Sequence, residues 1–100
     1  MAAYLIVEIE VIDGATYEEY IAQVPAVVNK YGGRYLARTA DVVPLAGGWM
    51  PERMIVIEFP SMEQLAAFGA SPEYRALAPL REASTRTRSI AVPGVEGRPG

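Results

Sequence analysis

The feature that most constrains the fold of this sequence is the way its hydrophobic period changes between two residues and about 3.6 residues. Residues 3–11, AYLIVEIEV, alternate as a strand with one apolar face does, and residues 16–31 repeat apolar side chains at helical spacing. Strand patterns follow at 34–40 and 53–59, helical segments begin near 61, and a last strand covers 86–92. This order predicts an α+β, ferredoxin-like βαββαβ fold, with helices on one face of a four-stranded antiparallel sheet.

Helix starts are predicted from polar residues placed just before the apolar repeats. Thr16 with Glu19, and Ser61 with Gln64, have the spacing of a capping box, in which the first side chain accepts a hydrogen bond from a backbone N–H of the first turn. Ser71, followed by a proline, repeats the same start signal. The second helical segment is therefore predicted to be two helices.

Helix ends are predicted from glycine and proline. Gly32 and Gly33 end the first helix, because glycine accepts the left-handed conformation that closes a helix. Pro79 is predicted to limit the last helical piece, because proline cannot donate a backbone hydrogen bond.

The length and composition predict a single globular domain. The chain has 100 residues, of which 51% are hydrophobic and 21% charged, which is too apolar for a disordered chain. We expect the domain to cover residues 1–95 and the Gly/Pro-rich residues 96–100 to be a flexible tail. No apolar run approaches the roughly 20 residues of a membrane span, and no N-terminal signal is recognised. The expected location is the cytoplasm, without membrane contact.

The absence of cysteine and histidine excludes several kinds of chemistry. Thiolate metal sites, disulfides, cysteine nucleophiles, Ser-His-Asp triads and a histidine haem ligand each lose a required member. We therefore expect no metal and no cofactor. The net charge of −3 disfavours nucleic acid as a partner, since phosphate binding depends on clustered cations. The sheet also lacks the aromatic and basic platform of RNA-binding folds.

One face of the predicted sheet is left without helices. Ile6 and Val56 fall on this face, and apolar side chains exposed on a sheet usually mark an interface. The sequence therefore predicts a homodimer in which the sheets of two protomers face each other.

Blocks of the sequence also resemble a known family. They are AYLIVEIEVID, YEEYIAQVP, YGGRYLAR, PERMIVIEFPS, SPEYRAL and the pattern of the last strand. In order and spacing they are similar to the uncharacterised bacterial domain family numbered thirteen-thirty, of the dimeric α+β-barrel superfamily, over about residues 2 to 95. The resemblance implies a ferredoxin-like protomer whose sheet pairs with a second copy. It implies no reaction, because the family has none assigned.

The same superfamily includes cofactor-independent monooxygenases of polyketide quinones, haem-degrading monooxygenases and a muconolactone isomerase. This likeness is one of fold and guides function only by association. The haem-degrading branch fits least well, because those enzymes use a histidine for iron and this chain has none.

Two strand carboxylates are candidate catalytic groups. The first and third strands are central neighbours in this fold, so Glu8 and Glu58 are expected to lie close together on the face without helices. Repulsion between them would raise one pKa and produce a general base. Four arginines could instead neutralise them: Arg34, Arg38, Arg86 and Arg88. The alternative interpretation is an interfacial salt-bridge network that fixes the dimer register.

Aromatic residues supply candidate binding groups. Tyr20 and Tyr74 are either packing residues or the wall of a cleft between helix and sheet. Trp49, the only tryptophan, lies between a glycine pair and a proline, with Arg53 four residues later and able to stack on the indole. We expect the Trp49 ring to be covered by the other protomer, or by the rim of a pocket shared with it.

The sequence leaves two functions open. In the first, each protomer of a cytoplasmic homodimer holds a small apolar or carboxylated metabolite in a pocket between sheet and helices, contacted by Tyr20, Trp49, Tyr74 and Arg38. If this protein is an enzyme, it is a cofactor-independent monooxygenase or isomerase in which Glu58 removes a proton and Arg34 or Arg53 stabilises the enolate. In the second, it is a non-catalytic dimerisation or binding module whose glutamates and arginines only hold two sheets together.

Overall fold

The computed structural model describes residues 1–95, and the predicted flexible tail at 96–100 lies outside the described residues. The strands are β1 (Ala3–Val11), β2 (Arg34–Thr39), β3 (Arg53–Phe59) and β4 (Thr85–Pro93), and the helices are α1 (Gly14–Lys30), α2 (Met62–Ala70) and α3 (Pro72–Ser84). The sheet order is β2-β3-β1-β4, with every neighbouring pair antiparallel. The predicted ferredoxin-like α+β fold is confirmed, with β1 and β3 at the centre of the sheet.

The hydrophobic core lies between one face of the sheet and the three helices. From the sheet it contains Ile9, Ile55, Ile57 and Phe59; from the helices it contains Tyr17, Tyr20, Val24, Val28, Phe68 and Leu77. Phe59 is fully buried. Within residues 1–95, no helix combines the length and the apolar character needed to cross a bilayer.

Two of the three predicted helix starts are confirmed. The Ser61 hydroxyl accepts a hydrogen bond from the backbone N–H of Gln64 at 3.1 Å, and the Ser71 hydroxyl accepts one from Tyr74 at 3.1 Å. The predicted start at Thr16 is wrong, because α1 begins at Gly14 and is capped by Asp13. The Asp13 carboxylate accepts from both the backbone and the hydroxyl of Thr16. Thr16 is therefore in the first turn, where it supports the cap instead of forming it.

The predicted limit at Pro79 is also wrong, because α3 continues through this proline to Ser84. Pro79 is exposed, so the carbonyl that loses its N–H partner one turn earlier can bind water. The helix ends where side chains satisfy its last carbonyls instead. The Ser84 hydroxyl donates to the carbonyl of Leu80 at 2.6 Å, and the Thr85 hydroxyl donates to that of Arg81 at 2.7 Å.

A β-bulge in β2 decides which face of the sheet its arginines occupy. Tyr35 is opposite Ile57 and Ala37 is opposite Val56, so one extra residue lies between them. Arg34 is paired with Glu58 before the bulge, on the face without helices, and Arg38 is paired with Ile55 after it, on the helix face. Residues four apart on a regular strand share a face, so the bulge separates two arginines that the alternation placed together.

The second face of the sheet, called here the open face, carries no helix. Its central rows are formed by cross-strand partners, which lie on the same side of a sheet: Tyr4 with Glu58, Ile6 with Val56, and Glu8 with Met54. Ile90 of β4, opposite Ile6, is 60% exposed on this face. The expectation that Ile6 and Val56 lie on a face without helices is confirmed.

Candidate functional site

A cavity of about 70 Å³ lies between the helices and the sheet and is called here the helix-side cavity. Its apolar walls come from β1, β3 and the helices: Leu5, Val7, Ile9, Ile21, Val24, Ile55, Ile57 and Phe68. Its polar groups come from every side of the fold: Tyr20, Tyr35, Arg38, Tyr74, Arg81, Thr87 and Ser89. Leu5 and Val7 belong to the central strand but are only half-buried, because they border this space. A mostly apolar cleft with a few convergent polar groups has the composition of a small-molecule site. Its volume is below the roughly 300 Å³ at which such sites usually begin, so a larger ligand would extend out of its open side.

Two tyrosines and an arginine form a hydrogen-bonded network in the cavity wall. The hydroxyl oxygens of Tyr20 on α1 and Tyr74 on α3 are 3.0 Å apart. Arg81, two turns after Tyr74 on the same helix, donates from Nη1 to the Tyr74 hydroxyl at 2.6 Å. Burial raises the pKa of Tyr20 well above its ordinary value, and the neighbouring Tyr74 hydroxyl raises it further. Tyr20 is therefore a neutral phenol over the whole physiological pH range.

Arg38 lies at the mouth of the helix-side cavity. Its guanidinium carbon is 4.5 Å from the centre of the Tyr35 ring, which is the distance of a cation–π contact. Burial raises the pKa of the Tyr35 hydroxyl, and the nearby Arg38 charge partly opposes that rise. Among residues 1–95, no carboxylate lies within ion-pair distance of Arg38. The cavity mouth therefore carries a positive charge that the described part of the chain does not neutralise.

Arg81 is partly neutralised at the surface. Its Nη2 atom lies 3.5 Å from the Glu82 carboxylate, while Nη1 remains on Tyr74. With Arg38, it makes the polar side of the cavity cationic, whereas the opposite walls are aliphatic and aromatic. The arrangement suits a molecule with an apolar body and an anionic group.

Glu58 and Arg34 form an ion pair on the open face, away from the helix-side cavity. The Arg34 Nε atom donates to Glu58 Oε1 at 2.7 Å, and the Tyr4 hydroxyl donates to Oε2 at 3.2 Å. The hydrogen bond from Arg34 is the main cause that lowers the pKa of Glu58, with a smaller contribution from Tyr4. A lowered pKa makes a carboxylate a weaker base.

Glu8 has its own set of partners on the same face. Trp49 donates its indole Nε1–H to Glu8 Oε1 at 3.0 Å, and Arg88 contacts both carboxylate oxygens, the closest at 2.6 Å. These bonds, that of Trp49 first, lower the pKa of Glu8. The Trp49 ring lies over an apolar recess of about 210 Å³ on the open face and is still 55% exposed.

The expected closeness of Glu8 and Glu58 is wrong. Both lie on the open face, but Glu8 is opposite Met54 whereas Glu58 is opposite Tyr4. The two carboxylates are therefore four residues apart along the strands, or roughly 13 Å. At that distance, with a different arginine on each, mutual repulsion does not raise the pKa of either one.

Arg53 does not stack on Trp49. It is opposite Ile9 at the start of β3, on the helix face, whereas the indole lies on the open face. Its buried Nε atom has no hydrogen-bond partner among the described residues. Although Trp49 and Arg53 are only four residues apart, β3 begins at Arg53, and the two side chains lie on opposite sides of the sheet.

The seven predicted site residues thus occupy different regions instead of one pocket. Tyr20, Tyr74 and Arg38 line the helix-side cavity, Glu58, Arg34 and Trp49 lie on the open face, and Arg53 lies on the helix face at the start of β3. Sequence reasoning missed Arg81 and Tyr35. The i, i+7 spacing from Tyr74 marks Arg81 as a residue of the same helix face. Within residues 1–95, no three carboxylates are grouped as a metal site would require.

Comparisons with known proteins identify a family and a fold. The sequence profile of a family described as a domain of unknown function, DUF1330, matches residues 2–95. No protein of curated function is similar enough to be matched.

Three solved structures represent the likeness in fold. A protein of unknown function from Rhodopseudomonas palustris is 16% identical over 95% of this chain and 83% of its own, with a TM-score of 0.79. SnoaB, a cofactor-independent oxygenase from Streptomyces nogalater, is 12% identical over 99% of this chain and 98% of its own, with a TM-score of 0.69. A dimeric ferredoxin-like protein of unknown function from Jannaschia sp. CCS1 is 14% identical over 94% of this chain and all of its own, with a TM-score of 0.70.

Proposed function

This chain belongs to the DUF1330 family, and we propose that it is a homodimer that binds a small organic acid in the helix-side cavity of each protomer. The observation that carries the proposal is the Arg38 guanidinium at the cavity mouth, which has no carboxylate partner among residues 1–95 and is held against the Tyr35 ring. A guanidinium beside an apolar wall favours an anionic ligand with an apolar body.

The open face supports the homodimer. It combines apolar side chains, among them the half-exposed Ile90 and Trp49, with ion pairs that are satisfied within the protomer. A face of this kind is costly to leave in water and is suited to a second copy of itself. The dimeric state given for the Jannaschia protein, which has the same fold, is consistent with this arrangement. In the dimer, Glu58 with Arg34 and Glu8 with Arg88 would fix the register of the two sheets.

A second candidate function is catalysis without a cofactor, as a monooxygenase or isomerase. The fold shared with SnoaB favours it, as does the Tyr20, Tyr74 and Arg81 network, whose donors could stabilise an enolate or phenolate in the cavity. Glu58 is badly placed to act as the base for a molecule in that cavity, since the sheet lies between them. Oxygen uptake with hydroxylated aromatic acids, lost when both Tyr20 and Tyr74 are changed to phenylalanine, is the measurement that supports a monooxygenase.

The binding proposal is tested with benzoate, phenylacetate and cinnamate and with their neutral amides. We expect isothermal titration to show binding of at least one acid and no comparable binding of its amide. Arg38→Met should weaken acid binding by about 10- to 150-fold, because a hydrogen bond to a charged group contributes about 1.5–3 kcal/mol. Arg75→Met is the matched control, since Arg75 is exposed on α3 and does not line the cavity.

Two results would contradict this function. One is an amide that binds as tightly as its acid, which would mean that charge does not select the ligand. The other is an Arg38→Met protein that binds the acids as well as the wild-type protein does, which would place the anion elsewhere.

A further inference from the structure

The Tyr20 and Tyr74 hydroxyls, which the proposed function uses only as polar lining, determine what second group the ligand carries. Each phenol has one hydrogen to donate and an oxygen that accepts. The guanidinium of Arg81 can only donate, so its 2.6 Å contact uses the Tyr74 oxygen as an acceptor. The hydrogen of Tyr74 is not used by that bond.

The contact between the two phenols uses one hydrogen and leaves one over. At 3.0 Å, either hydroxyl is the donor and the other is the acceptor. The two phenols carry two hydrogens in all, because Tyr20 stays protonated and the hydrogen in the bond between Arg81 and Tyr74 belongs to Arg81. Whichever direction the mutual bond takes, one phenolic hydrogen has no partner among the described residues.

That hydrogen belongs to a group that lines the helix-side cavity. Tyr20 is buried, Tyr74 is half-buried, and both belong to its wall. A buried donor without an acceptor costs free energy, about 1–3 kcal/mol when it is fully desolvated. A ligand oxygen that accepts it would remove this cost, whereas a hydrocarbon group in the same position would keep it.

Resting on the proposed acid binding, we propose that the cavity selects aromatic acids that carry a second oxygen able to accept a hydrogen bond, such as a ring ketone or acyl group. Arg38 takes the carboxylate, and the Tyr20–Tyr74 pair donates its one free hydrogen to the second oxygen. The aromatic rings of Tyr35, Phe68 and Tyr74 belong to the lining and suit a flat ring on the ligand.

The test compares ortho-, meta- and para-acetylbenzoate with the three ethylbenzoates, which have nearly the same shape but lack the acceptor. For at least one isomer we expect the wild-type protein to bind the acetyl compound about 2- to 12-fold more tightly, as one net hydrogen bond of about 0.5–1.5 kcal/mol would give. Isothermal titration measures the ratio of the two affinities directly.

Tyrosine-to-phenylalanine variants identify the source of the preference. In Tyr20→Phe, Tyr74 keeps a hydrogen that is free to reach the ligand, and in Tyr74→Phe, Tyr20 keeps one. We therefore expect at least one single variant to retain the acetyl preference and the double variant to lose it while still binding ethylbenzoate. Thermal unfolding of the double variant checks that the nearly isosteric changes leave the protein folded.

The outcomes separate this inference from the function on which it rests. Equal affinity for every acetyl and ethyl pair, with binding that still depends on Arg38, overturns the inference and leaves acid binding intact. A preference that persists in the folded double variant also overturns it. If none of the acids binds and their amides do not either, the proposed function itself fails.

Discussion

Both carboxylate oxygens of Glu58 accept hydrogen bonds from neighbouring side chains. The donors are Arg34 and Tyr4, and the Glu58 side chain is only 24% exposed. The sequence places a glutamate on the second face of a central strand, which is correct, because alternation in β3 is regular. The sequence does not show how close Glu58 lies to another charged side chain, because that distance depends on the register between strands.

The hydrogen bonds to Glu8 and Glu58 predict how the stability of the protein depends on pH. The pKa values of Glu8 and Glu58 are lowered from an ordinary value of 4.5 in the folded state. A carboxylate with a lowered folded pKa contributes stability that is present above the ordinary value and is lost as the pH falls through the folded pKa. We expect the free energy of unfolding to fall below about pH 5 and to vary little from pH 6 to 8, because the chain has no histidine.

The variant Glu58→Gln should reduce this dependence. It cannot lose a charge on acidification, so we expect a less stable protein at pH 7 and a shallower fall between about pH 5 and pH 3. Urea unfolding at a fixed protein concentration measures both effects, and Glu18→Gln on the exposed side of α1 is the control. A fall as steep as in the wild-type protein would show that the Arg34 pair does not contribute to acid sensitivity.

The elements of this fold are strongly encoded in the sequence, with one informative exception in β2. The bounds of β1 and β3 agree with the alternating pattern, and the break between α2 and α3 falls where Ser71 and the following proline predict it. The β-bulge leaves no comparable signal, because RYLART reads as an uninterrupted strand. Regular alternation therefore predicts that Arg38 shares the face of Arg34, whereas the bulge places it on the helix face.

A second element depends on a close approach between a helix end and the sheet. Gly33 follows α1, and a Cβ atom on it would lie 2.7 Å from a Val28 methyl and 2.8 Å from the Phe59 ring, both fully buried. These atoms cannot move without opening the core. The glycine pair correctly predicts a helix end, but the packing requirement at Gly33 is visible only in three dimensions.

Paired glycine substitutions test this requirement. We expect Gly33→Ala to destabilise the protein by about 1–3 kcal/mol, the usual cost of overpacking a core. Gly69→Ala should instead be neutral or stabilise by up to about 1 kcal/mol, because Gly69 is helical and a Cβ there meets no atom within 4 Å. Thermal and urea unfolding measure both changes. Equal effects of the two variants would mean that the contact at Gly33 relaxes easily.

At the scale of the whole molecule, the sheet separates two regions with different proposed uses. The helix-side cavity, with Tyr20 and Tyr74, is on one side, and the open face, with Trp49 and Ile90, is on the other. Chain order and periodicity predicted both sides. They do not predict which side each candidate residue occupies. One extra residue in a strand, as in β2, or the position at which a strand begins, as in β3, moves a side chain to the other face of the sheet.

The proposed homodimer is tested on the open face. Ile90 is 60% exposed in the protomer, so Ile90→Asp should cost the fold little while placing a charge in the apolar part of the interface. We expect this variant to sediment as a monomer at concentrations where the wild-type protein is a dimer. Met62→Asp is the matched control, since Met62 is an exposed apolar residue at the start of α2, on the helix side of the fold. A monomeric wild-type protein at micromolar concentration would contradict the homodimer.

Strand β1 contributes to both sides, because its odd-numbered residues Leu5, Val7 and Ile9 line the cavity while Ile6 and Glu8 alternate with them on the open face. Under the proposed function, mutations at odd positions would change which molecule is bound without altering self-association, and mutations at even positions would do the reverse. If both proposed functions hold, two separate selective pressures would act on interleaved codons in one stretch of gene. Relatives of this protein could thus diverge in ligand while still assembling in the same way.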